Sequence, residues 1–414
     1  MSRIFHRISV FVVLLFLQTC LAFGQPMALH EGDRVLFYGD SITAQRLYTR
    51  FVEDFLMTRY PSKHVSFINA GVPGDTVYGG YTGDQATRLK RDVFPAQPTV
   101  VTVMLGMNDG YYVPFEQKYL DIYKEGYRAS LASIRSRLPG VRITLVTPTP
   151  YDEVTHGTEF AHYNEVVSRH AAFVKDLAAT SHLPESDFYE AITNLTKSGA
   201  AKNTALAGLL IPDRIHPGEA AHWVMAAELA RTWGFSPLVS SVSLDATQAT
   251  VVSAENAQIL SLQKEDDGLR WTQIDEALPL PLPLEDGMMQ FVLSISNLAA
   301  MDQQIMRVRG LVASHYRLTI DGHAIASFSR EQLAEGVNLA LYPTPMENQS
   351  KDVDGMELKR AQLDEATFIL TIDDPKSSPE DAALSAIHAK GSALLEEQRK
   401  AVQPGPHRFE LLSE

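Results

Sequence analysis

Four short blocks place reactive side chains where an apolar pattern breaks. Gly39-Asp40-Ser41 closes the apolar run Val35 to Tyr38, and "NAGVPGDT" holds Gly71 and Gly74. "GMND" sets Asn108 just after the run Val100 to Leu105, and "DRIHP" sets Asp213 three residues before His216. A serine hydroxyl is a poor nucleophile until a base removes its proton. His216 is such a base, and Asp213 is near enough to hold its other ring nitrogen and stabilise the imidazolium. The backbone N–H groups of Ser41 and Gly74, with the Asn108 amide, offer three donors to a tetrahedral oxyanion. This is not the G-x-S-x-G elbow, because Thr43 stands where the second glycine belongs. Asp40 and Asp109 read as acceptors that brace their turns.

These blocks need a scaffold that brings them to one rim. From His30 to about Phe235, apolar strand-like runs alternate with segments of helical spacing. "RVLFYG", "VSFINAG", "TVVTVMLG" and "VRITLVTP" lack period-two alternation, which argues a parallel sheet covered on both faces. "DFYEAI" reads as a further short strand, and a helix is expected from Pro217 to Gly234. Ligands bind beyond the C-terminal ends of such strands, and all four blocks should converge there.

After Ser236-Pro237 the texture changes. "ATVVSA", "QILSLQ", "LRWTQI", "QFVLSIS", "QIMRVRGL" and "HYRLTIDGHAIASFS" read as short strands, with a hairpin turn at Asp321-Gly322. We expect a β-rich accessory domain over residues 240–345 and a mixed, mainly helical tail over 346–414. The helix Pro379 to Val402 carries Ala382, Leu384, Ile387, Leu394 and Leu395 on one face. That face must be buried, and we expect it to pack across the α/β unit.

In their order, "GDSI", "GVPGDT", "GMND" and "DRIHP" resemble the four blocks of the SGNH hydrolases, the GDSL family of esterases and lipases. The resemblance covers residues 30–235, about half the chain. It implies a flavodoxin-like three-layer α/β/α domain, here set at 27–237, and ester hydrolysis through an acyl-serine intermediate without metal or other cofactor. It also implies that Ser41, Asp213 and His216 are catalytic and that Ser41, Gly74 and Asn108 form the oxyanion hole. It leaves the substrate and the second half of the chain open.

Other features narrow the function. Arg3, His6 and Arg7 precede the apolar run Ile8 to Leu17, and Ala22-Phe23-Gly24 resembles a cleavage site. Residues 1–24 thus read as a signal peptide, giving a periplasmic or extracellular protein. The run is too short for a stable membrane span. The only cysteine, Cys20, lies in this leader, which excludes disulfides and thiolate chemistry from the mature chain. We expect no lipid anchor at Cys20. The net charge of −14 becomes −16 once the leader's two arginines are lost, which speaks against a nucleic-acid partner. His156, His162, His170, His182 and His222 lack the spacing of a metal motif, so metal binding is not expected. Tyr78, Tyr81, Tyr111 and Tyr112 flank the oxyanion blocks and are candidates for the walls of a cleft. Trp271, Tyr316 and Tyr342 read as core before they read as a sugar platform.

These features lead to the expectation of an exported esterase acting on short acyl groups, above all acetyl, carried by a carbohydrate or small molecule. A lipase or lysophospholipase, an acyltransferase with the same triad, and a non-catalytic glycan-binding protein are the alternatives. The oligomeric state is not legible.

Overall fold

The computed structural model describes residues 28–157, 162–373 and 382–414. The expected leader and Cys20 lie outside the described residues.

The apolar runs become five parallel strands, β1 (Arg34–Gly39), β2 (Ser66–Gly71), β3 (Val100–Met104), β4 (Arg142–Val146) and the two-residue β5 (Glu185–Ser186). Their order is β2-β1-β3-β4-β5, the flavodoxin-like arrangement. Gly39 stands opposite both Gly71 and Met104. The C-terminal ends of β2, β1 and β3 are therefore level, and the loops leaving these three strands share one rim. The strand order reverses at β1, so that rim has the crevice where such sheets bind ligands.

On one face lie α2 (Leu47–Arg59), α5 (Phe188–Lys202) and α6 (Glu219–Thr232), burying Phe51, Phe55, Ile192 and Trp223. α3 (Gln117–Arg137) and α4 (Tyr163–Ser181) cover the other with Tyr123, Tyr127, Ile134 and Phe173. α1 is a single turn, Ser41–Ala44. "DFYEAI" is not a strand. The Asp187 carboxylate accepts from the Glu190 N–H at 3.0 Å, and this cap starts α5 at Phe188. The helix expected from Pro217 begins at Glu219 with Gly218 as cap, so His216 sits in the preceding turn.

The second half forms two more sheets. Their strands are β6 (Leu238–Asp245), β7 (Thr250–Glu255), β8 (Ala257–Glu265), β9 (Gly268–Asp275), β10 (Gln303–Arg309), β11 (His315–Ile320), β12 (His323–Ser329), β13 (Val337–Asn338) and β14 (Pro406–Ser413). One sheet runs β8-β9-β14-β11-β12 and the other β13-β10-β6-β7. Asp321 and Gly322 both have positive φ, 52° and 80°, as a tight primed hairpin turn requires. Trp271 and Tyr316 are buried, Trp271 stacking on Phe409 at 4.9 Å, so they serve the core. Tyr342 meets Phe328 edge-on.

Three features tie this half to the first. "QFVLSIS" is not a strand but lies mostly in α7 (Gly287–Ile295), capped by Asp286 through the Met288 and Met289 N–H groups. α7 and the segment before it insert Leu280, Leu282, Met289 and Val292 into the same core as Trp223. The stretch from residue 346 supplies β14, which lies between β9 and β11 in the middle of a sheet. Before it, the long helix α8 (Pro345–Asp373) packs on α2, and α9 (Ala382–Ala401) lies against α8. The contact expected of residues 379–402 with the α/β unit is thus made mainly by α8, while α9 buries Leu384 and Gln398.

Charge holds the α2–α8 seam. Arg360 donates to Glu53 at 2.5 Å and to Glu357 at 3.2 Å, and Arg50 pairs with Asp354. Arg59 and Asp302, both buried, pair at 2.9 Å. Breaking one such pair would leave an uncompensated buried charge, at a cost of about 3–5 kcal/mol.

Candidate active site

β1 ends at Gly39, and Asp40 caps α1 by accepting the Ile42 N–H at 3.0 Å. Asp40 is buried, which pushes its carboxyl up to about 7. This cap turns the chain so that Ser41 opens α1 at the rim. The turn sits close over β2: a Cβ on Gly71 would come within 2.4 Å of the Ala44 nitrogen, so only glycine lets the two segments meet. Asn69 donates to the Thr43 carbonyl at 2.7 Å and locks that approach.

The Ser41 Oγ is 2.8 Å from His216 Nε2, and His216 Nδ1 is 2.6 Å from Asp213 Oδ2. The other carboxylate oxygen of Asp213 accepts the N–H groups of Ile215 at 3.0 Å and His216 at 2.8 Å. Partial burial works to raise the Asp213 pKa. The N–H and imidazole donors of His216 outweigh it and hold the carboxyl below its usual range. Between the two residues, Arg214 adopts a left-handed φ of 74°, a conformation that costs a non-glycine residue about 1–3 kcal/mol. Its guanidinium offsets this by donating to the carbonyls of His156 at 2.7 Å and Gly157 at 2.9 Å.

Gly74 has φ +74° and open space where a Cβ would stand. Asp75, next to it, is buried and ion-paired at 2.7 Å with the buried Arg88, which also donates to the Ala70 carbonyl at 2.9 Å. Asn108 donates from Nδ2 to the Asp75 carbonyl at 3.0 Å and accepts from the Tyr112 hydroxyl at 2.9 Å. An amide nitrogen carries two hydrogens, so one N–H of Asn108 remains to give. Asp109 accepts the Val77 N–H at 2.8 Å, and burial pushes it up to about 8. Two loops of the rim are thus tied together.

Residues 37–224 match the family model for the GDSL-like lipase/acylhydrolase family. The segment that carries the four blocks belongs to this family. It is a carboxylic ester hydrolase of the SGNH type. An acetylxylan esterase of Geobacillus stearothermophilus is 26% identical over 227 residues, half of this chain and 97% of that protein. BT4096, a gut microbial diltiazem-metabolizing enzyme, matches at a TM-score of 0.80 and 24% identity over 93% of this chain and 98% of that one. The second likeness is one of fold, and it takes in the β-rich half and the C-terminal helices.

The tyrosines around this GDSL-like site divide. Tyr81 is exposed and lines the cleft that holds Ser41 and His216. Tyr78 and Tyr111 are also exposed, Tyr111 packing against Tyr119 at 5.3 Å. Tyr112 stacks on Tyr163 at 4.8 Å and uses its hydroxyl on Asn108, so it supports the amide from behind.

Among the described residues no group of three His, Cys, Asp or Glu side chains is placed to hold a metal ion. His170 contacts the Gly106 carbonyl at 2.8 Å. His222 accepts the Tyr48 N–H on Nδ1 at 3.2 Å and meets Gln45 through Nε2 at 3.0 Å. Burial holds it down to about 3, so it stays neutral and braces the α1–α2 link. Arg88, Arg214 and the Tyr112 hydroxyl carry no signal in the sequence, because their partners are set by folding and not by spacing. No helix among the described residues is long and apolar enough to cross a membrane.

Proposed function

We propose that Ser41, His216 and Asp213 hydrolyse short acyl esters, acetyl above all, carried by a carbohydrate. The observation that carries this reading is the continuous relay from Ser41 Oγ through the His216 ring to the Asp213 carboxylate. His216 Nε2 takes the serine proton as Oγ attacks the ester carbonyl, and Asp213 stabilises the imidazolium. The oxyanion falls to the N–H groups of Ser41 and Gly74 and to the spare N–H of Asn108. Ser41 is the first residue of a helical turn, so its N–H has no acceptor within the helix. The tetrahedral intermediate expels the alcohol as His216 returns the proton. Water, activated by the same histidine, then frees acetate from Ser41.

The acetylxylan esterase relative supports the acyl and alcohol classes. Export belongs to the same reading, since a polysaccharide ester is met outside the cell. A fluorophosphonate probe should label the full chain at Ser41 only, and acetate should be released from acetylated xylooligosaccharides. Labelling without acetate release, with faster turnover of long-chain aryl esters than of acetate, would replace this substrate by a lipid.

A further inference from the structure

The C-terminal half contributes to the active-site cleft. We propose that α8, which lies outside the GDSL-like segment, reads the alcohol half of the ester; this rests on the esterase reading above. Glu365, Phe368 and Ile369 of α8 line the same cleft of about 790 Å³ as Ser41 and His216. The direction of that cleft matters. Its walls include Asp213, His216 and Glu219 on one side and Gly71 and Pro73 of the glycine block on the other, but neither Gly74 nor Asn108. His216 must return its proton to the departing alkoxide, so the leaving alcohol lies on the His216 side. The α8 wall, on the His216 and Glu219 side, is therefore assigned to the alcohol.

The chemistry of the wall sets the class of alcohol. Phe368 and Ile369 present an apolar surface, with the exposed Tyr81 in the same cleft. Glu219, 3.8 Å from Arg50, and Glu365 add carboxylates, and Arg46 lines the same cleft. A ring with an apolar face and hydroxyl groups at its edge uses both, stacking on the aromatic side chains and donating to the carboxylates.

The wall is also held in place relative to the nucleophile. α8 is fixed to α2 by Arg360 on Glu53 and by Arg50 on Asp354. α2 starts at Leu47, directly after the turn that carries Ser41. A site built on packed helices keeps its geometry better than one built on a loop.

Methyl acetate and an acetylated methyl xyloside form the same acetyl-Ser41, so kcat/KM compares only how their alcohols are received. In the full chain, Phe368→Ala should lower the ratio of kcat/KM for the xyloside ester to that for methyl acetate roughly three- to tenfold, the worth of one aromatic contact. Phe368→Tyr should retain the ratio. Ile369 is 49% exposed, so Ile369→Ala leaves the fold intact and should lower the ratio in the same direction. An unchanged ratio in both alanine variants, or equal losses on both esters, overturns the role of α8. If wild-type protein hydrolyses neither ester and Ser41 resists the fluorophosphonate probe, the esterase reading itself fails and takes this inference with it.

Discussion

The Tyr112 hydroxyl donates to Asn108 Oδ1 at 2.9 Å, while Asn108 Nδ2 donates to the Asp75 carbonyl at 3.0 Å. The amide is thus fixed from both ends before any substrate arrives. If its spare N–H serves the oxyanion, Asn108→Ala should lower kcat roughly 10²–10³-fold with little change in KM. Tyr112→Phe keeps the ring stacked on Tyr163 and removes only the hydroxyl, so a smaller loss in kcat, about tenfold or less, is expected. Steady-state kinetics on a small aryl acetate reads both. A change confined to KM would make Asn108 a substrate contact instead.

Ser41→Ala should melt within about 0.5 kcal/mol of the native chain, because a rim turn away from the core tolerates the change. Its turnover should fall by at least about 10³-fold, as for the loss of any triad nucleophile. A pure variant keeping a tenth of the activity would remove Ser41 from its proposed role.

Buried Asp109 gives stability a pH dependence of defined sign. Burial lifts its folded pKa to about 8, well above the unfolded value near 3.9. The folded state therefore holds a proton that the unfolded state releases. The stability linked to this proton is fully present below about pH 4 and is lost as pH rises towards 8. Asp109→Asn keeps the acceptor for the Val77 N–H and removes the titration. Between pH 5 and 8 the variant should lose less stability than wild type, by on the order of 2 kcal/mol or more, as thermal melts across that range would read. Parallel curves for the two proteins would refute the assignment.

The GDSL-like segment should not stand alone in this chain. Leu280, Leu282, Met289 and Val292 complete the core around Trp223, and Asp302 neutralises buried Arg59. Expressing residues 25–238 removes all of them, and an aggregating or non-cooperatively melting fragment is expected. Co-expression of residues 239–414 should restore solubility. A soluble fragment with one sharp transition and full activity on a small aryl ester would show that the second half is dispensable.

How legible the chain is depends on the range of the interactions. The four blocks can be read because each is contiguous, and three of them leave a parallel strand directly, so βα geometry brings them to one rim. The fourth, Asp213 to His216, opens the approach to α6 and meets Ser41 at that same rim. "DFYEAI" and "QFVLSIS" look like strands in the sequence because a short apolar run has no period long enough to separate strand from helix. The caps at Asp187 and Asp286 decide both.

Local pattern and residue chemistry were enough to establish the family blocks, the covered parallel sheet and the set of candidate reactive groups. It took the folded chain to show that β14 enters the middle of a sheet, that α7 joins the first core and that α8 walls the cleft. Those contacts join residues far apart in the chain; Ser41 and the α8 wall stand at opposite ends of it. Such contacts are selected by burial, shape and charge pairing at the α2–α8 seam, none of which has a period along the chain.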